Sequence, residues 1–186
     1  LLSLLIMGAM NQGIFWPDSF CTRLASLGFH VVRYDHRDTG QSSKVDYQAQ
    51  PYRLAELTQD ALAVLHAHNL PKATVVGLSM GGYIAQLLAI EHPEAVERLV
   101  LISSSADQRP YMAATMGQAT SDFDLPPPGP ALLEYIRATI ARPPRSPEEI
   151  EENLLTGWAI TYADSREFPR ARMTAALRQA AGRTNN

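Results

Sequence analysis

The sequence has little of what would assign a partner class at sight. It holds one cysteine, Cys21, in 186 residues. No internal disulfide can form, and a reducing, cytoplasmic setting is the expectation. Neither sign of charge dominates. A formal net charge of −3 leaves no basic footprint for nucleic acid. No apolar run approaches the roughly 20 residues needed to span a bilayer, so no membrane partner is expected. Residues 1–10 are apolar but carry neither a basic leader nor a small-residue cleavage pattern, which does not read as a signal peptide. Internal repeats and low-complexity segments are missing as well. What remains is 46% hydrophobic and 19% charged, an ordinary globular composition sufficient for one sizeable core and a small appendage.

The informative stretch is residues 73–88. A short β-branched run, Thr74 to Val76, reads as a buried strand, and Ile84, Leu87 and Leu88 read as one face of a helix. Between them lies Gly77-Leu78-Ser79-Met80-Gly81, a G-x-S-x-G pattern in the strand–turn–helix setting of a nucleophile elbow. A serine hydroxyl is a weak nucleophile and has to be held where a base can reach it. A sharp strand-to-helix turn does so at a backbone strain of about 1–3 kcal/mol. Gly77 and Gly81 are expected to relieve the crowding where strand and helix converge. The helix that follows directs free N–H groups and a partial positive charge toward the serine.

Around this stretch, strands alternate with helices of crossover length, which predicts a parallel sheet with right-handed connections. Residues 1–7 form a continuous apolar run. Pro17 suits a first helical position, followed by Phe20, Leu24 and Leu27 on one face and a stop at Gly28, with Cys21 a buried, inert thiol near that face. Residues 29–34 read as the second strand. Residues 53–69 read as a helix with Leu54, Leu57, Leu62 and Leu65 inward, and residues 95–103 lead into and form a fourth strand. From Asp107 the character changes. Residues 107–130 are rich in Pro, Asp, Met and Gly, and helical patterns follow without strands. Ser146-Pro147-Glu148-Glu149 is a capping box whose helix turns Ile150, Leu154 and Trp158 to one side. Asp164 and Glu167 mark a further helix start. The organisation is therefore a core over residues 1–106 and a helical block over 107–186. The chain opens at Leu1 inside a buried-strand pattern, so it is expected to be a piece of a longer protein. In that piece, residues 1–7 and residues 99–103 would form the two edges of the sheet.

Three stretches carry a resemblance: Leu5-Ile6-Met7-Gly8, residues 28–43 with Tyr34-Asp35-His36-Arg37-Asp38-Thr39-Gly40, and Val76 to Gly82. On them the chain resembles the α/β-hydrolase superfamily, and within it the aclacinomycin methylesterase group, to which Trp16-Pro17-Asp18 is also similar. The resemblance implies an incomplete α/β-hydrolase core with a helical cap and a serine, histidine and carboxylate triad. Ser79 matches the nucleophile. The N–H groups of Met80 and Ala9 match the oxyanion donors, for which Ala and Met are both suitable because only backbone is used. Among the five histidines, His30 lies in a strand, His66 and His68 on a helix remote from the elbow, and His92 at the far end of the elbow helix. His36 reads as a brace of its own loop. The family places its acid and histidine after later strands, which puts both beyond Asn186. Asp107, after the fourth strand, is the alternative acid.

The resulting expectation is a hydrolase of a carboxylic ester of a small, largely apolar molecule, acting through an acyl-Ser79 intermediate, with no metal or organic cofactor. Residues 1–186 alone are expected to turn esters over poorly. Carbon–carbon bond hydrolases and perhydrolases share the elbow and stay open as alternatives. Epoxide hydrolases and dehalogenases use a carboxylate nucleophile and are disfavoured. A non-catalytic binding protein on the same fold is the rival from another class.

Overall fold

The computed structural model describes residues 1–162 and 167–183. Its described residues divide into two compact units, residues 1–106 with 180–183, and residues 107–179.

The first unit is built on a four-stranded, all-parallel sheet of order β2-β1-β3-β4. The strands are β1 (Leu2–Ile6), β2 (His30–Arg33), β3 (Ala73–Leu78) and β4 (Val96–Ile102). Helices α1 (Asp18–Ser26), α2 (Leu54–Ala67) and α3 (Met80–Glu91) make the connections. Residues 1–7 do not form an edge. The first crossover carries β2 to the outer side of β1, and the second returns the chain to β3 on its other side, so β1 is interior and paired on both flanks. Its burial follows: every residue of β1 is buried. Side chains alternate between the two faces, with Leu2, Leu4 and Ile6 packing among Leu57, Ala61, Leu65, Val75, Ile84 and Leu88. Leu5 and Met7 join Trp16 and Val76 on the opposite face. At the far end of the sheet order, β4 keeps Leu99, Val100, Leu101 and Ile102 exposed among the described residues.

The apolar face expected of α1 is buried only in part, through Leu24 against Leu5, Met7, Trp16 and Val76. Phe20 and Leu27 are exposed and no residue of the helix is fully buried. Pro17 is the N-cap, one position ahead of its expected place. Cys21 is half-buried, with its Sγ 3.9 Å from the Arg33 guanidinium. α2 matches its pattern more closely. Leu57 and Leu65 are buried, while Leu54 and Leu62 are partly buried against the same cluster.

The second unit is helical among its described residues. It contains α4 (Arg109–Thr115), α5 (Pro130–Ala141), α6 (Pro147–Thr161) and the greater part of α7 (Arg170–Ala181). α4 falls in the Pro-, Asp-, Met- and Gly-rich stretch 107–130, for which no helix is expected. Pro110 at its first turn starts it, and Pro110, Ala113 and Ala114 are buried. Ser146 and Glu149 form the expected reciprocal cap of α6. Its buried positions, however, are Leu155 and Gly157, and Ile150 is exposed. The reason is close packing on α5. A side chain on Gly157 would stand 2.6 Å from the Tyr135 ring, whose hydroxyl donates to the Asn153 carbonyl at 3.0 Å. α7 begins at Arg170, later than Glu167, and Asp164 lies outside the described residues. The end of the chain belongs to the first unit, where Gln12 Nε2 donates to the Ala180 carbonyl at 2.8 Å and Arg183 pairs with Asp35 at 3.1 Å. No helix among the described residues is long and apolar enough to cross a membrane.

Candidate active site

β3 ends at Leu78, and the chain reverses into α3 through one residue. Ser79 has φ 52° and ψ −118°, a left-handed region that an L-residue enters only at a cost of about 1–3 kcal/mol. Two hydrogen bonds hold the turn. The Ser79 N–H donates to the Ile102 carbonyl at the end of β4 (2.9 Å), and the Gly82 N–H donates back to the Ser79 carbonyl (2.8 Å). The glycines on either side leave no room for a β-carbon. One on Gly77 would stand 2.6 Å from the Gly81 carbonyl carbon and 2.7 Å from the Gly82 Cα. One on Gly81 would overlap the Ile6 carbonyl and stand 2.6 Å from the Met7 oxygen. The convergence is thus three-way: strand, helix and the end of β1. Ser79 is exposed.

The loop after β1 runs alongside. Gly8 is buried, and a β-carbon there would touch Leu78 Cδ2 and Ser79 Cβ at 3.3 and 3.4 Å. Ala9 and Met80, the first residue of α3, line one cavity of about 470 Å³ together with Met10, His36, Thr39 and Tyr52. Neither backbone N–H donates a hydrogen bond among the described residues. Both are therefore free donors of the kind that stabilises an oxyanion. Ser79 is not among the residues lining this cavity.

The far wall of the cavity is the polar loop after β2, and its side chains are tied down one by one. Asp35 accepts from the Gly13 N–H (2.7 Å) and the Gln41 N–H (3.0 Å). Arg37 forms a two-point pair with Asp60 of α2 at 2.7 and 2.6 Å, and lies over the Tyr52 ring. Asp38 accepts from the Val45 N–H (2.6 Å) and the Tyr52 hydroxyl (2.7 Å). Those two bonds hold the Asp38 carboxyl below the usual carboxylate range. Burial, with the Asp38 carboxylate beside it, pushes the Tyr52 hydroxyl up to about 12. His36 is buried, and its Nε2 lies 2.9 Å from the Met7 carbonyl. Burial lowers its pKa, against the raising influence of that carbonyl and of Asp60 and Asp35.

His30, His66 and His68 are exposed, and His92 follows α3 with its Nδ1 3.6 Å from Glu94. No histidine hydrogen-bonds to Ser79 among the described residues. Asp107 lies in the second unit. Both its oxygens receive the Arg109 guanidinium, at 2.8 to 3.0 Å, which lowers its pKa. No cluster of three or more His, Cys, Asp or Glu able to hold a metal occurs among the described residues. Three contacts of the site were not legible in the sequence: Tyr52 on Asp38, Asp60 on Arg37 and His36 on Met7. They join residues 14, 23 and 29 positions apart, and no local pattern marks them.

Residues 8–165 match a family model described as the alpha/beta hydrolase fold. Over 181 residues the chain is 38% identical to rhodomycin D methylesterase DauP of Streptomyces sp. (strain C5). Over the same length it is 36% identical to rhodomycin D methylesterase DnrP of Streptomyces peucetius. Each match covers 93% of this chain and 60% of the relative, so the chain spans about three-fifths of the length of these curated relatives. A solved hydrolase from Pseudomonas aeruginosa PA01 superimposes with a TM-score of 0.60 at 29% identity, covering 95% of this chain and 57% of that one.

Proposed function

Because the chain belongs to the alpha/beta hydrolase fold family, we propose that it carries the nucleophile and oxyanion half of a serine esterase. The observation that carries this reading is Ser79 in a strained turn, at φ 52°, next to Met80 and the loop of Ala9, two residues that line one cavity and whose N–H groups have no partner among the described residues. Ser79 Oγ attacks the carbonyl carbon of a carboxylic ester. The two N–H groups receive the oxyanion, each such donor typically contributing about 2.7–4 kcal/mol to the transition state. The alcohol leaves, and water releases the acid from acyl-Ser79. The base that takes the serine proton, and its acid partner, come from outside residues 1–186, as in the triad order Ser, acid, His.

The substrate in this reading is a small, largely apolar ester. The relatives named as methylesterases support a methyl ester, and the apolar Met10, Leu57 and Met80 on the cavity wall support the apolar body. Residues 107–179 act as the cap, and the setting is cytoplasmic, in keeping with a single cysteine. The test is a fluorophosphonate probe applied to the full-length protein. Labelling of the wild type that is lost in Ser79→Ala is the expected result. Equal labelling of both overturns Ser79 as the nucleophile, and no labelling of either favours a binding protein without turnover.

A further inference from the structure

We propose that His36 is a positioning residue for the oxyanion site, fixing the Ala9 N–H through its hydrogen bond to the Met7 carbonyl. The inference rests on the esterase reading above and goes beyond it, since the polar loop that carries His36 contributes no group to the chemistry. A carbonyl oxygen only accepts, so the Met7 oxygen, 2.9 Å from His36 Nε2, requires the proton on Nε2. Nδ1 is buried and has no hydrogen-bond partner among the described residues. The single hydrogen bond made by this imidazole therefore goes to Met7. An imidazole that is 3% exposed and serves only to fill space is disfavoured against an apolar ring, because burying its polar atoms has a cost that only that bond offsets.

The Met7 carbonyl bears on the orientation of the Ala9 N–H. The Met7–Gly8 peptide carries this oxygen, and the following Gly8–Ala9 peptide carries the Ala9 N–H. Gly8 alone joins the two planes, and glycine is the residue least able to hold a peptide orientation by itself. Orientation has to come from outside, and three contacts supply it. His36 holds the Met7 oxygen from one side. The bare Cα of Gly81, in the first turn of α3, lets the Ile6 and Met7 carbonyls close in from the other. Gly8 itself lies beside Leu78 and Ser79, so near that an added β-carbon would meet Leu78 Cδ2 and Ser79 Cβ at 3.3 and 3.4 Å. The same clamp thus ties the loop bearing the Ala9 donor to the helix bearing the Met80 donor. The imidazole is itself locked. Its ring meets the Tyr34 ring edge-on with centroids 5.3 Å apart, and the His36 backbone carbonyl accepts from the Thr39 hydroxyl at 2.8 Å. Oxyanion donors act through preorganisation, and a misplacement on the order of 1 Å costs about 10²-fold in rate.

The experiment uses the full-length protein with His36→Phe, which keeps a ring and removes the donor, and His36→Gln, whose amide reaches to a similar distance. Steady-state kinetics on a methyl ester are measured beside the affinity for a trifluoromethyl ketone, whose adduct with a serine places an oxyanion in the hole. In His36→Phe, kcat is expected to fall about 10- to 100-fold, with KM within about threefold and ketone affinity falling in parallel with kcat. His36→Gln is expected to restore both to within a few-fold. Unchanged kcat in His36→Phe overturns the proposal, as does a fall in kcat that leaves ketone affinity untouched or that His36→Gln fails to recover. If His36→Phe does not fold, His36→Asn replaces it, because its amide stops short of Met7. Equal ketone affinity in the Gln and Asn variants then counts against the proposal, and loss in Asn alone supports it. Ser79→Ala separates the two ideas. Turnover surviving in that variant removes the esterase reading itself, whereas a dead Ser79→Ala beside a wild-type-like His36→Phe removes only the role of His36.

Discussion

A β-carbon on Gly77 would stand 2.6 Å from the carbonyl carbon of Gly81, four residues further along the same chain. Real side chains never come so close to backbone, so the turn that presents Ser79 exists only while both positions are bare. Gly77→Ala and Gly81→Ala are each expected to destabilise the protein by more than the roughly 1–3 kcal/mol of ordinary overpacking, because the obstructing atoms are backbone and cannot rotate away. Gly28→Ala is the comparison. Nothing lies within 4 Å of that site, so it meets only the left-handed φ penalty of about 1–2 kcal/mol. Chemical denaturation of the three variants side by side checks the order.

Ser79 bears the opposite relation to stability. Its φ of 52° is one that glycine adopts freely and serine does not. Ser79→Gly removes a strain of about 1–3 kcal/mol and adds back about 0.5–1 kcal/mol of chain entropy. It is therefore expected to raise the unfolding free energy by about 1 kcal/mol while abolishing fluorophosphonate labelling. Ser79→Ala keeps the strain and is expected to gain nothing. Equal stability of the two variants would show that the turn is not strained at Ser79.

The sheet and its crossovers were legible because they depend on local periodicity. Val75 and Val76, Leu57 and Leu65, and Ser146 with Glu149 lie where their spacing puts them. The failures share a physical cause. Periodicity groups Phe20, Leu24 and Leu27 on one face, but it shows that a face exists and not what covers it; Leu24 packs in part against the cluster of Leu5, Met7, Trp16 and Val76, Phe20 stays exposed, and Leu27 falls past the end of α1. On α6 the buried positions are Leu155, one residue from the expected Leu154, and Gly157, which Tyr135 approaches closely, a tertiary contact that apolar spacing does not carry. β1 was expected at an edge, since strand order depends on where crossovers land and not on strand composition. The elbow shows the same limit from within. Gly77 against Gly81 follows from the motif, while Gly81 against Ile6 and Met7 needs the tertiary fold.

Asp107 separates two placements of the triad acid. Its carboxylate is occupied by Arg109 through two guanidinium nitrogens. With the acid outside residues 1–186, Asp107→Asn in the full-length protein is expected to leave kcat for an ester within a few-fold of wild type. A loss approaching the roughly 10⁴-fold seen when a triad acid loses its charge would assign the role to Asp107.

His36 also sets a pH window for stability. Burial lowers its pKa below the ordinary 6.5, and the Met7 carbonyl only partly offsets this. Above pH 6.5 the imidazole is neutral in both the folded and the unfolded chain, and the group leaves stability unchanged. As pH falls below 6.5, the unfolded chain binds the proton at this site first, so stability is lost until the folded pKa is reached. The groups facing the ring moderate the effect without reversing it. Asp60 from α2 and Asp35 from its own loop favour the charged form, but each ranks below burial. The carboxylates of Asp38 and Glu56 are shifted the same way, below ordinary values of 3.8 and 4.5, so their contributions are present above those values and are lost only in more acidic solution. The interval between about pH 6.5 and pH 5 therefore lies above these carboxylates, and within it the comparison with His36→Phe singles out this imidazole. One group contributes a slope of at most about 1.4 kcal/mol per pH unit there. Denaturation midpoints measured across that interval are expected to fall for wild type and to flatten in His36→Phe, even if the variant starts lower. Parallel slopes in the two proteins would mean that His36 takes up its proton in the folded state as readily as in the unfolded one.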